Sequence, residues 1–223
     1  MANVAVAENH LTVGGVAYFR GNADKVEFGS IGVKRTPLGK QNYIEVKDRL
    51  PVDKVGKTKS TVVEIDFTKT SKSAFGTAIS AIVEGVPVKF TGDASFEKMR
   101  SGELKLVQIS AMLNDVRDAI NKSPKAMADL VEWGNDAVVV TSVFLVMEAK
   151  LANRFNNNVD VSLSAGIKGM EAKVSGGNTS SGTTTVTWSK DSCFAYLLAK
   201  PKWDASQKKN VTRATDLKTD QWG

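Results

Sequence analysis

The feature that most constrains this chain is how its apolar residues are spaced between positions 137 and 203. Ala137 to Met147 is apolar apart from Thr141 and Ser142, which suits a central strand. Val159, Val161, Leu163, Ala165 and Ile167 then alternate strictly with Asp160, Ser162, Ser164, Gly166 and Lys168, the period of a half-buried strand. After Gly169 the phase slips by one residue, so Met170, Ala172 and Val174 become the apolar set. A slip at glycine predicts a bulge. The polar run 153–158 would join the central strand to this alternating one as an antiparallel hairpin with long arms. Ser175 to Gly182 reads as a polar loop and Thr183 to Trp188 as a strand. Cys193 to Trp203 reads as the last strand, with Phe194, Tyr196 and Leu198 on one face. Such a chain is committed to sheet.

Upstream, Thr61 to Phe67 alternates as a strand with Val63, Ile65 and Phe67 on one face. Residues 72–84 switch to a helical period, placing Phe75, Ala78, Ile79, Ile82 and Val83 together. Gly85-Val86-Pro87 stops that segment, and Val88 and Phe90 begin another strand. Leu104, Leu106 and Ile109 make a further short alternation. Val116 and Ile120 predict one brief helix. Ser123-Pro124 opens a second, with a stripe of Met127, Leu130 and Val131 closed by Trp133-Gly134-Asn135. The fold class is α+β: a twisted antiparallel sheet with a few short helices on one side. Residues 1–203 read as a single domain and 204–223 as a C-terminal tail. That tail lacks periodicity and looks loosely tethered, yet Leu217 and Trp222 would be costly to leave in water. A tail that docked them would cover an edge strand.

Composition then narrows the function. One cysteine, Cys193, excludes an intrachain disulfide and a cysteine-rich metal site. One histidine, His10, excludes a histidine-pair metal motif and leaves a serine triad only if His10 is its base. Gly14-Gly15 and Gly176-Gly177 are too sparse for phosphate loops, and the carboxylates are scattered. Nothing here argues for an enzyme, a metal or a cofactor. The first residues lack a secretory signal, and no apolar stretch reaches the roughly 20 residues of a membrane helix. The expectation is a cytoplasmic protein acting through a surface or through assembly. Residues 34–59 hold eight basic groups against three acidic ones, nearly the whole +6 of the chain. Lys34, Arg35, Lys40, Lys54, Lys57 and Lys59 are the candidate contacts for anionic lipid heads, each worth about 1 kcal/mol near such a membrane. The same lysines also suit a solvated edge that resists aggregation.

From about Thr61 to Trp203 the order of patterns resembles the pore-forming domain of gasdermins, particularly the short bacterial members. The residues that carry it are Val62-Val63-Glu64-Ile65-Asp66-Phe67, then Phe75 to Val83, then Val88 to Phe96, with a helical pair at 112–133. Val138-Val139-Val140-Thr141 and a final strand around Phe194-Ala195-Tyr196 complete it. The resemblance implies a membrane-active protein that oligomerises through β-hairpins once autoinhibition is released, in cell death or bacterial defence. It implies an anionic lipid membrane, further copies of the chain and an activating protease as partners, with no nucleic acid. Such a protein is cytoplasmic when soluble and sits on the inner face of the membrane when active. The residues assigned to hairpin insertion are Phe75, Ile79 and Val83, which share a face in period two, and Val161, Leu163 and Ala165. A barrel strand needs about 9–11 residues of this alternation. Any half-buried soluble sheet needs the same alternation. The alternative is therefore a structural subunit of a tube, shell or phage-like particle, assembling through β-edges without lipid.

Overall fold

The computed structural model describes residues 4–7, 9–38, 41–51, 55, 58–63, 101–149, 152–153, 161–164, 171–174 and 193–223. The predicted segments at 64–100, and the strand at 183–188, lie outside them.

Short strands come first: β1 (Val4–Val6), β2 (His10–Val13) and β3 (Val16–Phe19) form an antiparallel meander. Gly14 and Gly15, both at positive φ, make the tight turn between β2 and β3. β4 (Ser30–Arg35) and β5 (Tyr43–Arg49) form a hairpin. Its register shifts between Ile31 and Gly32, where a Cβ on residue 32 would meet the Glu45 carbonyl at 2.1 Å. Only glycine permits that approach. β6 (Thr58–Val63) and β7 (Leu104–Ala111) pair with each other.

Two helices follow. α1 (Leu113–Asn121) buries Val116, Ala119 and Ile120. α2 (Pro124–Trp133) has proline in its first turn, buries Ala126 and Leu130, and is closed by Gly134 at φ 68°. Both helices match the predicted pair. β8 (Ala137–Glu148) is the central strand the sequence predicts, and its residues 137–147 are buried throughout. β9 (Val161–Ser164) and β10 (Glu171–Val174) form a separate two-stranded sheet. β11 (Cys193–Trp203) is not the last strand: β12 (Ala214–Asp220) follows and pairs with it.

Among the described residues, every strand except β9 and β10 belongs to one sheet, whose main path runs β1-β2-β3-β11-β8-β4-β5. It branches twice. β8 takes β4 beside its first residues and β7 beside the rest, while β11 takes β3 near its start and β12 along its second half. The fold is α+β, with a curled antiparallel sheet and, among the described residues, two short α-helices. The buried residues fall into two clusters. The larger one gathers Val116, Ile120 and Leu130 of the helices with Val107, Ile109, Val143, Leu145, Tyr196 and Leu217 of the sheet. The smaller one holds Leu11 and Tyr18 of the meander against Val63, Leu104, Leu106, Phe144, Val146, Phe194 and Ala195.

Three expectations are corrected. The slip read at Gly169, which lies outside the described residues, falls between two antiparallel strands: Val161 is opposite Val174 and Leu163 opposite Ala172, and among the described residues β9 pairs with β10 alone. A phase change has the same signature for a bulge and for a turn, because each adds residues outside the ladder. Phe194 does not share a face with Tyr196 and Leu198. The register shifts between Cys193 and Ala195, which sends Phe194 and Ala195 into the smaller core and Tyr196 into the larger. Finally, residues 204–223 are no loose tail. Ala214 and Leu217 are buried, Trp222 packs on the core, and the Trp222 backbone N–H donates to the Ala17 carbonyl at 3.0 Å.

Candidate functional site

Four strands lie side by side in the order β6, β7, β8, β11, each antiparallel to its neighbour. β6 and β7 are directly paired, yet 40 residues, 64–103, connect them. β8 and β11 are directly paired, yet 44 residues, 149–192, connect them. Hairpin loops ordinarily take 2–5 residues, so both connections are far longer than the pairing of their strands requires. Both excursions leave the same end of the block. There Val63 is opposite Leu106, Leu106 opposite Val146, Leu104 opposite Glu148, and Cys193 opposite Leu145. The ladder extends past β8, where the Ala149 N–H donates to the Glu103 carbonyl at 2.7 Å.

Strand parity gives the block two apolar faces. On β7, Leu104 and Leu106 enter the smaller core, while Val107 and Ile109 enter the larger. On β8, Phe144 and Val146 face one way and Val143, Leu145 and Met147 the other. That is why Ala137 to Met147 reads as a continuous apolar run. The smaller-core face carries a polar cross-link: Gln108 Nε2 donates to the Tyr18 hydroxyl and to Ser142 Oγ, each at 3.1 Å. Burial raises the Tyr18 pKa, partly offset by that bond from Gln108. Tyr18 also meets Phe144 edge-on, with ring centroids 4.8 Å apart.

The nominated residues are distributed unevenly. Val161 and Leu163 lie on β9, within the second excursion. Phe75, Ile79, Val83 and Ala165 lie outside the described residues, as do Lys40, Lys54 and Lys57. Lys59 is on β6, opposite Ser110. Lys34 donates to both carboxylate oxygens of Asp220, at 2.9 and 3.0 Å, and stands 5.0 Å above the Phe19 ring. Arg35 and Lys47 share Glu45, whose carboxyl they hold below its usual range, Lys47 most strongly. Arg49 pairs with Glu27 and donates to the Phe28 carbonyl. Thus Lys34, Arg35, Lys47 and Arg49 each have a carboxylate partner, and the net field of this segment is smaller than its sequence count suggests.

Position separates these groups as well. Val33 is opposite Ala137, so Lys34 and Arg35 project past the start of β8, while the excursions leave from its far end. At about 3.3 Å per residue the two ends of this 12-residue strand are roughly 35 Å apart. Among the described residues, Lys34 and Arg35 lie at the opposite end of β8 from the two connections, while Lys59 lies on β6 within the block. At the basic end, Leu38 of the β4–β5 loop is fully exposed.

Neither singular titratable side chain forms a reactive site. Cys193 is buried, and burial pushes its thiol far above the usual range. The His10 ring stacks on Trp222 at 4.3 Å, and burial, then Arg20, lower its pKa. Among the described residues no group of three or more His, Cys, Asp or Glu is placed to hold a metal ion, and no helix is long and apolar enough to cross a membrane.

Sequence reasoning missed the apolar band of Val63, Leu104, Leu106, Phe144, Val146 and Phe194 across all four strands. Its signal was the absence of polar alternation in β8, which required a cover on both faces. No family model, no curated protein and no solved structure matches the chain.

Proposed function

We propose that this chain is a gasdermin-like pore former, soluble until triggered, whose two long excursions extend as hairpins into an anionic bilayer as copies assemble. One observation carries the reading: 40- and 44-residue connections leave the same end of four adjacent antiparallel strands. Drawn out as hairpins, they supply arms of roughly 20 residues, ample for the 9–11 that a membrane strand needs. The block would then continue into the bilayer as four strands per copy, with backbone groups paired between neighbours as hydrocarbon demands.

The pairing of β9 with β10 supports a hairpin within the second excursion. The β12 strand, which covers the outer edge of β11 from Leu198 to Trp203, is a barrier to edge pairing in the soluble state. A protease that removed it would be one trigger. Lipid contact through Lys34 and Arg35 is a weaker part of the reading, given their acidic partners and their place at the far end of β8.

The test is dye release from vesicles of phosphatidylcholine and phosphatidylserine. Leu163→Arg should abolish release, since arginine on the lipid face at midplane costs about 2–4 kcal/mol. Ser162→Arg should leave release intact and alter ion selectivity. A second reading, a lipid-independent tube or shell subunit, is favoured by the outer edge of β6, which pairs only with β7 among the described residues. Rings or tubes formed without lipid, by protein that leaves vesicles sealed, would select it.

A further inference from the structure

The smaller core lies at one place on the four-stranded block. Its block-side members are Val63 on β6, Leu104 and Leu106 on β7, Phe144 and Val146 on β8, and Phe194 with Ala195 on β11. In register, Val63, Leu106 and Val146 form one row across three strands, and Phe144 stands opposite Ala195. This is a continuous apolar band across all four strands, at the end from which both excursions depart. A barrel strand that enters a bilayer requires such a band on its outward face, with aromatic residues near the interface.

The band is hidden by the β1–β3 meander, which contributes Leu11 and Tyr18 and packs Val4, Val6, Val13 and Val16 around them. The meander consists of strands of three and four residues. It meets β11 in register at one pair, Tyr196 and Phe19. Its other ties include the Trp222-to-Ala17 backbone bond, the Ala17 N–H to Gln221 Oε1 bond, the Gln108-to-Tyr18 bond, the His10–Trp222 stack and Phe19, which reaches the larger core and stacks on Tyr196 at 5.8 Å. The opposite face of the block is covered by helices and belongs to the larger of the two clusters among the described residues. Segments with short strands, few ladder bonds and a small core open at lower free energy than the body of a domain.

We infer that the β1–β3 meander is a removable cover, and that the band beneath it is a concealed lipid-facing surface continuous with the inserting hairpins. The inference rests on the pore-forming reading above and adds to it which face of the block meets hydrocarbon and what must move first. The occupant after opening is the acyl region of the bilayer; phosphate recognition plays no part in it.

The experiment is thiol protection in the full-length chain. Cys193 is replaced by serine, and one new cysteine is introduced at a time: Val146→Cys or Val63→Cys under the meander, and Val143→Cys on the helix-covered face. Two positions under the meander keep the test independent of how well either variant folds. Each protein is mixed with phosphatidylcholine–phosphatidylserine vesicles while dye release and labelling by a membrane-soluble maleimide are followed together. Labelling of a buried site tracks the population in which it is open. Vesicles that leak should raise the labelling rate at 146 and 63 by at least roughly tenfold while 143 stays protected. Leaking vesicles with 146 and 63 as protected as 143 would overturn the cover and leave the pore reading standing. Vesicles that stay sealed with the unsubstituted protein would overturn both.

Discussion

The same four strands carry two cores, and the cores are built differently. On one face, helices α1 and α2, the β4–β5 hairpin and β12 surround Val107, Ile109, Val143, Leu145 and Tyr196. On the other, three very short strands cover Phe144, Val146 and Phe194. Leu145 and Leu11 are equally buried, yet one sits in a continuous body and the other in a clip. The comparison teaches that burial alone does not set how firmly a residue is held. What counts is how many independent ties must break for it to reach water.

The largest expected effect comes from removing β12. Truncation after Trp203 deletes Ala214 and Leu217 from the larger core and strips the ladder from Leu198 to Trp203. The truncated chain should melt well below the full-length protein and exchange its β11 amides far faster. An unchanged melting temperature would mean that residues 204–223 contribute nothing to the body.

Leu145→Ala should come next, costing about 2–5 kcal/mol and lowering the global unfolding midpoint. Leu11→Ala removes the same atoms from the smaller core. Its cost should appear first as faster hydrogen exchange in β2 and β3, with the β8 amides little changed. Equal acceleration in β8 would merge the two cores into one cooperative unit.

Tyr18→Phe should be milder, about 1 kcal/mol, because Gln108 keeps its bond to Ser142 when the tyrosine hydroxyl is lost. Denaturant melts of the single and double variants with Gln108 would reveal the coupling.

Acid should act in the same place with the smallest effect. His10 stacks on Trp222, its Nδ1 is 2.8 Å from Asn9 Oδ1, and burial and Arg20 depress its pKa. The unfolded chain therefore takes up its proton first. This contribution is complete above pH about 6.5 and is lost as pH falls below that value towards the folded pKa. Exchange in β2 should accelerate on acidification, and His10→Gln should flatten that dependence.

Much of the fold was legible, and the failures have one cause. The central strand and both helices followed from spacing, because each keeps one pattern over its length. Bulges broke the remainder. Lys202 is opposite Asp216 and Trp203 opposite Ala214, so Thr215 is an extra residue. It brings Ala214 and Leu217 to the same buried side three positions apart, a spacing that no unbroken strand has. The Phe194–Ala195 bulge hid the smaller core in the same way. Asn121 marks another limit: its side chain exchanges two hydrogen bonds with the Ala214 backbone, at 2.8 and 3.0 Å, across 93 residues of sequence. No local pattern encodes that. At the candidate site, the apolar alternation of 159–167 was readable, whereas the shared exit of both excursions emerged only with the strand order. The acidic partners of Lys34 and Arg49 are non-local as well, 186 and 22 residues away in sequence.

The central claim is that the two excursions cross a bilayer as strands continuous with β6, β7, β8 and β11. Its most direct test places an environment-sensitive fluorophore at each position from 159 to 167, in the Cys193→Ser background, with nitroxide-labelled lipid in leaking anionic vesicles. The account predicts quenching that alternates with period two, strong at 161, 163 and 165 and weak at 160, 162 and 164. Uniform, weak quenching along the whole segment while the vesicles leak would contradict it.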